Sequence, residues 1–398
     1  MQGSYIMQPK TKVKFDRNDF EWVKKTIKLM SKASRERKRD PGYASSLPEE
    51  LGIQLTYGCN LRCRHCYQWN DRGFFHRITN GNHPGDRDLD IALVEKLLRE
   101  TRERQSRLYL WGGEPLVHRE WEAIARLLEK DQRWAVLCTN GLLLESKLAS
   151  ILPISSKLAL LVSLDGFREE HDAIRGPGTF NRTMENLDTY LSLRKRGKFK
   201  GKISINCVIN EGIVYRMFDF LEFCERKGFD SLYFTFPWYI SPETTRAMDA
   251  YYRENFSWLN PLPENRKPTW HSYAYHLDPP VMDTLRSQIR KLNARQWNIR
   301  IRLQPPLEPD EYKDFVLGSA RPAQKRRHCL AVSNRMEIHA DGKISACKFF
   351  PEFIIGDLYR QSAVEIWRSE KFGKVREIIN RGLMPVCSKC VLLYLGGR

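Results

Sequence analysis

Cys59, Cys63 and Cys66 stand in the stretch Tyr57-Gly58-Cys59-Asn60-Leu61-Arg62-Cys63-Arg64-His65-Cys66-Tyr67, with three and then two residues between them. That spacing puts three thiols on one short loop, one ligand fewer than a four-iron cluster needs, and leaves the fourth iron for another molecule. Two cysteines two residues apart are also the commonest half of a structural zinc site, so spacing alone leaves both metals open. A second group, Cys329, Cys347, Cys387 and Cys390, lies in the C-terminal third and has enough thiols to close a site by itself. Cys138, Cys207 and Cys224 fall in predicted strands or on an apolar helix face, where a buried, inert thiol is expected.

The elements that must position these thiols read as alternating strands and helices. The segment 51–56 is a short apolar strand that ends at the first cysteine loop. Leu108-Tyr109-Leu110-Trp111 runs into Gly112-Gly113-Glu114-Pro115. Strands are expected at 107–111, 134–139, 157–163, 202–208 and 231–236, with helices at 89–104, 120–129, 143–151, 179–193 and 214–227. Residues 68–87 read as an irregular polar stretch. Six strand-helix units imply a parallel sheet, and the apolar run Leu158-Ala159-Leu160-Leu161-Val162 fits one covered on both faces. Ligands of such sheets gather at the C-terminal ends of the strands. There this chain places the cysteine loop, Gly-Gly-Glu-Pro, Thr139-Asn140-Gly141, Ser163-Leu164-Asp165-Gly166 and Asn206-Cys207-Val208-Ile209-Asn210.

The cysteine loop paired with Gly-Gly-Glu-Pro one strand later resembles the radical S-adenosylmethionine (SAM) enzymes, over about residues 48–236. The resemblance implies a partial (β/α)6 TIM-like barrel and a [4Fe-4S] cluster on Cys59, Cys63 and Cys66. It also implies SAM on the open iron, split by an injected electron into methionine and a 5′-deoxyadenosyl radical. Gly112 and Gly113 would let the backbone approach the ligand closely, and Glu114 would accept from the SAM ammonium. Ser163 and Asp165 stand where relatives hold the ribose or the methionine portion, Asn140 belongs to the same shell, and Arg175 resembles the arginine near the SAM carboxylate. His65 takes the place of an aromatic residue whose main chain contacts adenine.

In the C-terminal third, the segment 336–347 signals a hairpin with Asp341-Gly342 as a two-residue turn, and places Cys347 on the returning strand. Cys387-Ser388-Lys389-Cys390 follows a predicted helix at 363–379. This part resembles the twitch or SPASM extension of radical SAM enzymes, a hairpin-plus-helix domain that binds auxiliary clusters. A full SPASM domain uses about seven cysteines. With four in this region, one auxiliary [4Fe-4S] cluster is expected, with zinc as the competing occupant. The chain therefore divides into a basic helical extension (1–47), the barrel (48–236), an aromatic and basic linking segment (237–327) that would form a wall or lid over the barrel mouth, and the auxiliary-cluster domain (328–398).

Composition narrows the setting. With 41% hydrophobic residues over 398 positions the chain can bury a core, which excludes wholesale disorder. No signal-type or membrane-length apolar run occurs, so a cytoplasmic protein with no membrane partner is expected. The formal net charge of +18 favours an anionic partner. The family resemblance implies an electron donor such as flavodoxin or ferredoxin, and a peptide or small-molecule substrate: a ribosomally made peptide, a natural-product intermediate, or a sugar or aminocyclitol to be dehydrogenated or epimerised. Charge alone would support tRNA modification, which makes a nucleic acid the less favoured partner.

Overall fold

The computed structural model describes residues 9–14, 17–79, 88–262 and 264–395. Residues 80–87 of the polar stretch lie outside the described residues; its earlier part contains a short helix, Phe74–Thr79. That helix is no polar loop, because Phe74 and Phe75 bury themselves against Tyr57 and Trp69.

Among the described residues, ten strands form one sheet: β1 (Glu50–Gln54), β2 (Arg107–Trp111), β3 (Ala135–Thr139), β4 (Leu158–Ser163), β5 (Lys202–Val208), β6 (Ser231–Thr235), β7 (Arg300–Gln304), β8 (Arg335–Ile338), β9 (Lys343–Ser345) and β10 (Ile354–Asp357). Their order is β10-β9-β8-β1-β2-β3-β4-β5-β6-β7, and all neighbours from β8 to β7 are parallel. The helices Ile91–Glu100, Trp121–Asp131, Leu148–Ile154, Thr179–Lys195 and Met217–Lys227 lie between successive strands, as right-handed crossovers require.

Strand parity decides what faces what. Leu51, Ile53, Leu110, Leu137, Leu160 and Ile205 are at most 1% exposed and belong to the apolar core. Each such side chain contributes roughly 1.5–3 kcal/mol through burial. The alternate positions, including Tyr109, Cys138, Leu161, Ser163, Asn206 and Tyr233, line a cavity of about 1200 Å³. The apolar run in β4 therefore does not pack equally on both sides; a partial barrel keeps its inner face open to a ligand.

Two of the parallel pairings join segments distant in sequence. β7, inside the linking segment, adds a strand next to β6. β8 pairs with β1 through Arg335↔Glu50, Met336↔Leu51, Glu337↔Gly52 and Ile338↔Ile53, which sews the C-terminal part to the barrel's first strand. Gly52 permits this, because a Cβ there would overlap the Glu337 carboxylate and the Arg335 guanidinium. The β8–β9 hairpin has a longer loop than the predicted two-residue turn: Ile338 pairs with Ile344, the His339 N–H donates to the Lys343 carbonyl, and Gly342 sits at φ +77°. Cys347 consequently falls beyond β9 instead of on it.

Candidate active site and auxiliary cluster site

The loop after β1 brings Cys59, Cys63 and Cys66 together. The Cys66 N–H donates to the Cys63 carbonyl (3.0 Å), and the Arg64 N–H reaches the Ile174 carbonyl (2.8 Å), which ties the loop to the last turn of the helix Arg168–Arg175. Donors also point at the sulfurs: Leu61 N–H to Cys59 Sγ (3.4 Å), Trp69 N–H to Cys66 Sγ (3.3 Å) and Arg175 Nη1 to Cys63 Sγ (3.7 Å). Burial raises the pKa of all three thiols, that of Cys63 to about 11 even with Arg175 pulling it down. Thiols so placed become thiolates when a metal takes the proton's place, and the sulfur-directed donors then stabilise the charge.

Gly112 and Gly113 are needed for a reason closer to home than the ligand. A Cβ on Gly112 would lie 2.6 Å from the Thr56 carbonyl oxygen, and one on Gly113 would overlap the Gly58 carbonyl. Gly113 N–H donates to Thr56 (2.9 Å) and Glu114 N–H to Gly58 (2.8 Å), so the glycines seat this turn directly on the cysteine loop. Glu114, 1% exposed, accepts from Leu116 N–H (3.1 Å), Thr139 Oγ1 (2.7 Å) and Asn140 N–H (2.6 Å). Burial raises its pKa to about 7 against those hydrogen bonds. A carboxylate has about four acceptor positions, so one remains for an ammonium group.

Gly112, Gly113, Glu114, Asn140, Ser163 and Arg175 all line the large cavity beside the three cysteines. Asp165 does not, contrary to the expectation that it contacts the ribose or methionine portion. It is 0% exposed and spends its oxygens on Arg175 Nε (2.7 Å), His65 Nε2 (2.9 Å) and the Val208 N–H (2.9 Å). Asp165 thus positions Arg175 and His65. His65 and Arg175 lie 100 and 10 residues from Asp165 in the chain, and the three meet only through the fold.

The cavity is also lined by residues outside those motifs, some of them from the linking segment expected to form its wall. Tyr109, Trp111, Lys348 and Arg302 face inward, and Trp238, Tyr273 and Tyr275 from the linking segment form a wall. Other aromatics of that segment, such as Tyr252, Phe256 and Trp270, are 0% exposed and serve the core. Register places Ser163, Asn206, Tyr233 and Arg302 in one row across β4 to β7.

Cys329, Cys347, Cys387 and Cys390 surround a second, smaller cavity of about 50 Å³. Burial raises each thiol, and the three neighbouring sulfurs raise Cys387 further. Main-chain N–H groups of Ala331 and Val332 aim at Cys329, and those of Leu392 and Leu393 at Cys390. Among the described residues no three His, Cys, Asp or Glu side chains close on a single ion. The donor set, four thiols with amides directed at sulfur in an apolar pocket, fits an iron-sulfur cluster. Trp238, Tyr273 and Lys348 line both cavities, so one partition separates the two cysteine sites.

Comparisons with known proteins agree with this layout. Residues 53–223 match the Radical SAM superfamily, and residues 329–391 match SPASM, an iron-sulfur cluster-binding domain. The chain belongs to the radical SAM superfamily, as an enzyme with a C-terminal SPASM domain. The AdoMet-dependent heme synthase of Methanosarcina barkeri is 25% identical over 346 residues, 84% of this chain and 86% of its own length. Mycofactocin maturase MftC of Mycolicibacterium smegmatis is 27% identical over 181 residues, 45% of this chain and 42% of its own. In fold the chain is similar to Streptococcus suis SuiB bound to S-adenosylmethionine, with a TM-score of 0.57 at 16% identity over 91% of this chain and 74% of SuiB.

The cofactors are therefore a [4Fe-4S] cluster, SAM and auxiliary iron-sulfur chemistry. Cys59, Cys63 and Cys66 would hold the first cluster, with Glu114, Asn140, Ser163 and Arg175 around SAM. When bound, the cluster and SAM supply a carbon radical that abstracts hydrogen. The chain's own contribution is to orient the cofactor, enclose the substrate and exclude water.

Proposed function

We propose that this enzyme takes a hydrogen atom from a carbon of a ribosomally made peptide or a natural-product intermediate. The observation that carries the reading is the cavity of about 1200 Å³, which runs from the Cys59-Cys63-Cys66 loop to the wall of the second cysteine site and has room for more than a cofactor. Arg302, in register with Ser163 through Tyr233 and Asn206, gives it a cationic side suited to an acidic group. MftC is named a maturase, and SuiB has been solved with its precursor peptide SuiA, which supports a peptide. One auxiliary cluster on Cys329, Cys347, Cys387 and Cys390, without an open iron, would transfer electrons or stabilise the domain.

Coverage favours a second reading. The heme synthase matches 84% of this chain and the maturase 45%, so a small metabolite of the heme-precursor kind is the alternative. The test is 5′-deoxyadenosine formation by the anaerobically reconstituted, reduced protein with SAM and host extract separated into peptide, small-molecule and RNA fractions. Stimulation by the peptide fraction supports the first reading. Stimulation by small molecules supports the second, and stimulation by RNA overturns both.

A further inference from the structure

Cys138 belongs to neither cysteine group, and it is not the inert core thiol that its strand suggested. Cys207 and Cys224 are 0% exposed, whereas Cys138 lines the large cavity. It lies on β3 two residues before Asn140, which follows the strand's end, and two residues of strand span about 6.7 Å, so its thiol lies deeper in the barrel than Asn140. Tyr109, facing inward from β2, lines the same cavity as Cys138, and the interaction between the two side chains favours a phenol that keeps its hydrogen and directs it at the sulfur. A phenol so directed uses a sulfur lone pair and leaves the thiol hydrogen free. Burial raises the Cys138 pKa and keeps the group protonated. Lys348 Nζ lies over the Tyr109 ring, 4.2 Å from its centroid.

An independent observation marks the same spot as a place for a ligand. Trp111, brought beside Cys138 by the Leu110↔Leu137 register, lines the cavity at 8% exposure, and its indole N–H has no acceptor among the described residues. A buried donor without a partner calls for an acceptor on whatever occupies the cavity.

We propose that Cys138 is a hydrogen-atom donor to carbon radicals formed in this cavity, with Tyr109 as its positioning residue. The proposal rests on radical SAM chemistry in the barrel. In the step, the Cys138 S–H bond breaks homolytically, a C–H bond forms on the radical carbon, and a thiyl radical remains. One electron from a low-potential one-electron donor protein and one proton from water restore the thiol. The substrate thereby loses one hydrogen to the 5′ carbon and regains another from an exchangeable site, a redox-neutral outcome at carbon.

Because a thiol exchanges with solvent and carbon-bound hydrogen does not, deuterium reads the step directly. The reconstituted holoenzyme is reduced with dithionite and given SAM alone in D2O, so that the radical meets the protein. The expected product is 5′-deoxyadenosine with one deuterium at the 5′ carbon, counted per molecule formed so that changes in cleavage rate do not enter. Cys138→Ser should lose the label, and Tyr109→Phe should lower its fraction. Label retained in Cys138→Ser, or absent from the wild-type product, overturns the donor role. No 5′-deoxyadenosine from any variant overturns the radical reading beneath it instead. In the reconstituted holoenzyme, mass-mapped N-ethylmaleimide labelling should modify Cys138 ahead of Cys207 and Cys224. Equal protection of all three would also overturn the proposal.

Discussion

Tyr67 and Tyr273 stack with ring centroids 4.4 Å apart and 12° between their planes. Tyr67 follows Cys66 directly in sequence, and Tyr273 lines the pocket of the second cysteine group, so this one stack joins the two cluster sites. The Tyr273 hydroxyl also donates to the Phe349 carbonyl (3.1 Å), two residues past Cys347. Removing the ring leaves a hole in a wall shared by both cavities.

Tyr273→Ala should therefore lower stability by about 3–5 kcal/mol, the usual cost of deleting a large buried aromatic side chain. Its urea midpoint should fall without a change in slope. Reconstituted iron should drop as well, from about eight toward about four per chain, as the auxiliary site loosens. A variant with normal iron and a normal midpoint would mean that the stack is incidental.

The two cysteine groups should separate cleanly by function. Ala at Cys59, Cys63 or Cys66 removes a ligand that SAM cleavage needs, so 5′-deoxyadenosine should vanish. Ala at Cys347 or Cys390 should leave measurable cleavage while product formation stops. Chromatography of both products after anaerobic turnover distinguishes these outcomes. Cleavage surviving in the first set would contradict the cluster assignment.

Much of the barrel was legible because strand and motif coincide. An apolar run followed by cysteines, or by Gly-Gly-Glu-Pro, states both an element and the end of it that carries chemistry. The face of a strand was less legible. Cys138 alternates with Leu137 exactly as Tyr109 alternates with Leu110, and only the closure of the barrel decides which set meets a ligand. Asp165 was misread for a related reason: a carboxylate at a strand end is available to a ligand only if no buried arginine claims it first. The β8–β1 pairing, between residues about 285 apart, has no local signature at all. β7 did have one, the alternation Arg300-Ile301-Arg302-Leu303-Gln304, hidden inside a segment dominated by aromatic and basic residues.

Trp238 and Tyr239 are neighbours in sequence and differ in place. Trp238 lines both cavities and meets Phe349 at 4.6 Å, whereas Tyr239 packs on His276 at 4.7 Å and lines neither. Trp238→Ala should cut product formation at least as strongly as it cuts stability, and Tyr239→Ala should leave turnover near wild type. Steady-state assays beside thermal melts separate the two effects. Loss of stability alone in Trp238→Ala would reduce the wall to packing.

Asp165 ties stability to pH. Burial by itself would raise its pKa, but Arg175 and His65 outweigh that and hold the carboxyl well below the usual range. A carboxyl whose pKa is depressed by folding contributes stability that is present above its unfolded value, about 3.9, and is lost as pH falls toward the folded value. Asp165→Asn removes the charge and strands the Arg175 guanidinium, 8% exposed, without its partner. The expected cost near pH 7 is about 3–5 kcal/mol, as for other broken buried ion pairs. The gap between the two proteins should close as pH drops below about 4, because only the wild type still has this contribution to lose. Urea midpoints for both proteins between neutral and strongly acid pH test the sign, and a gap that widens on acidification would show that Arg175 is held in place by something other than Asp165.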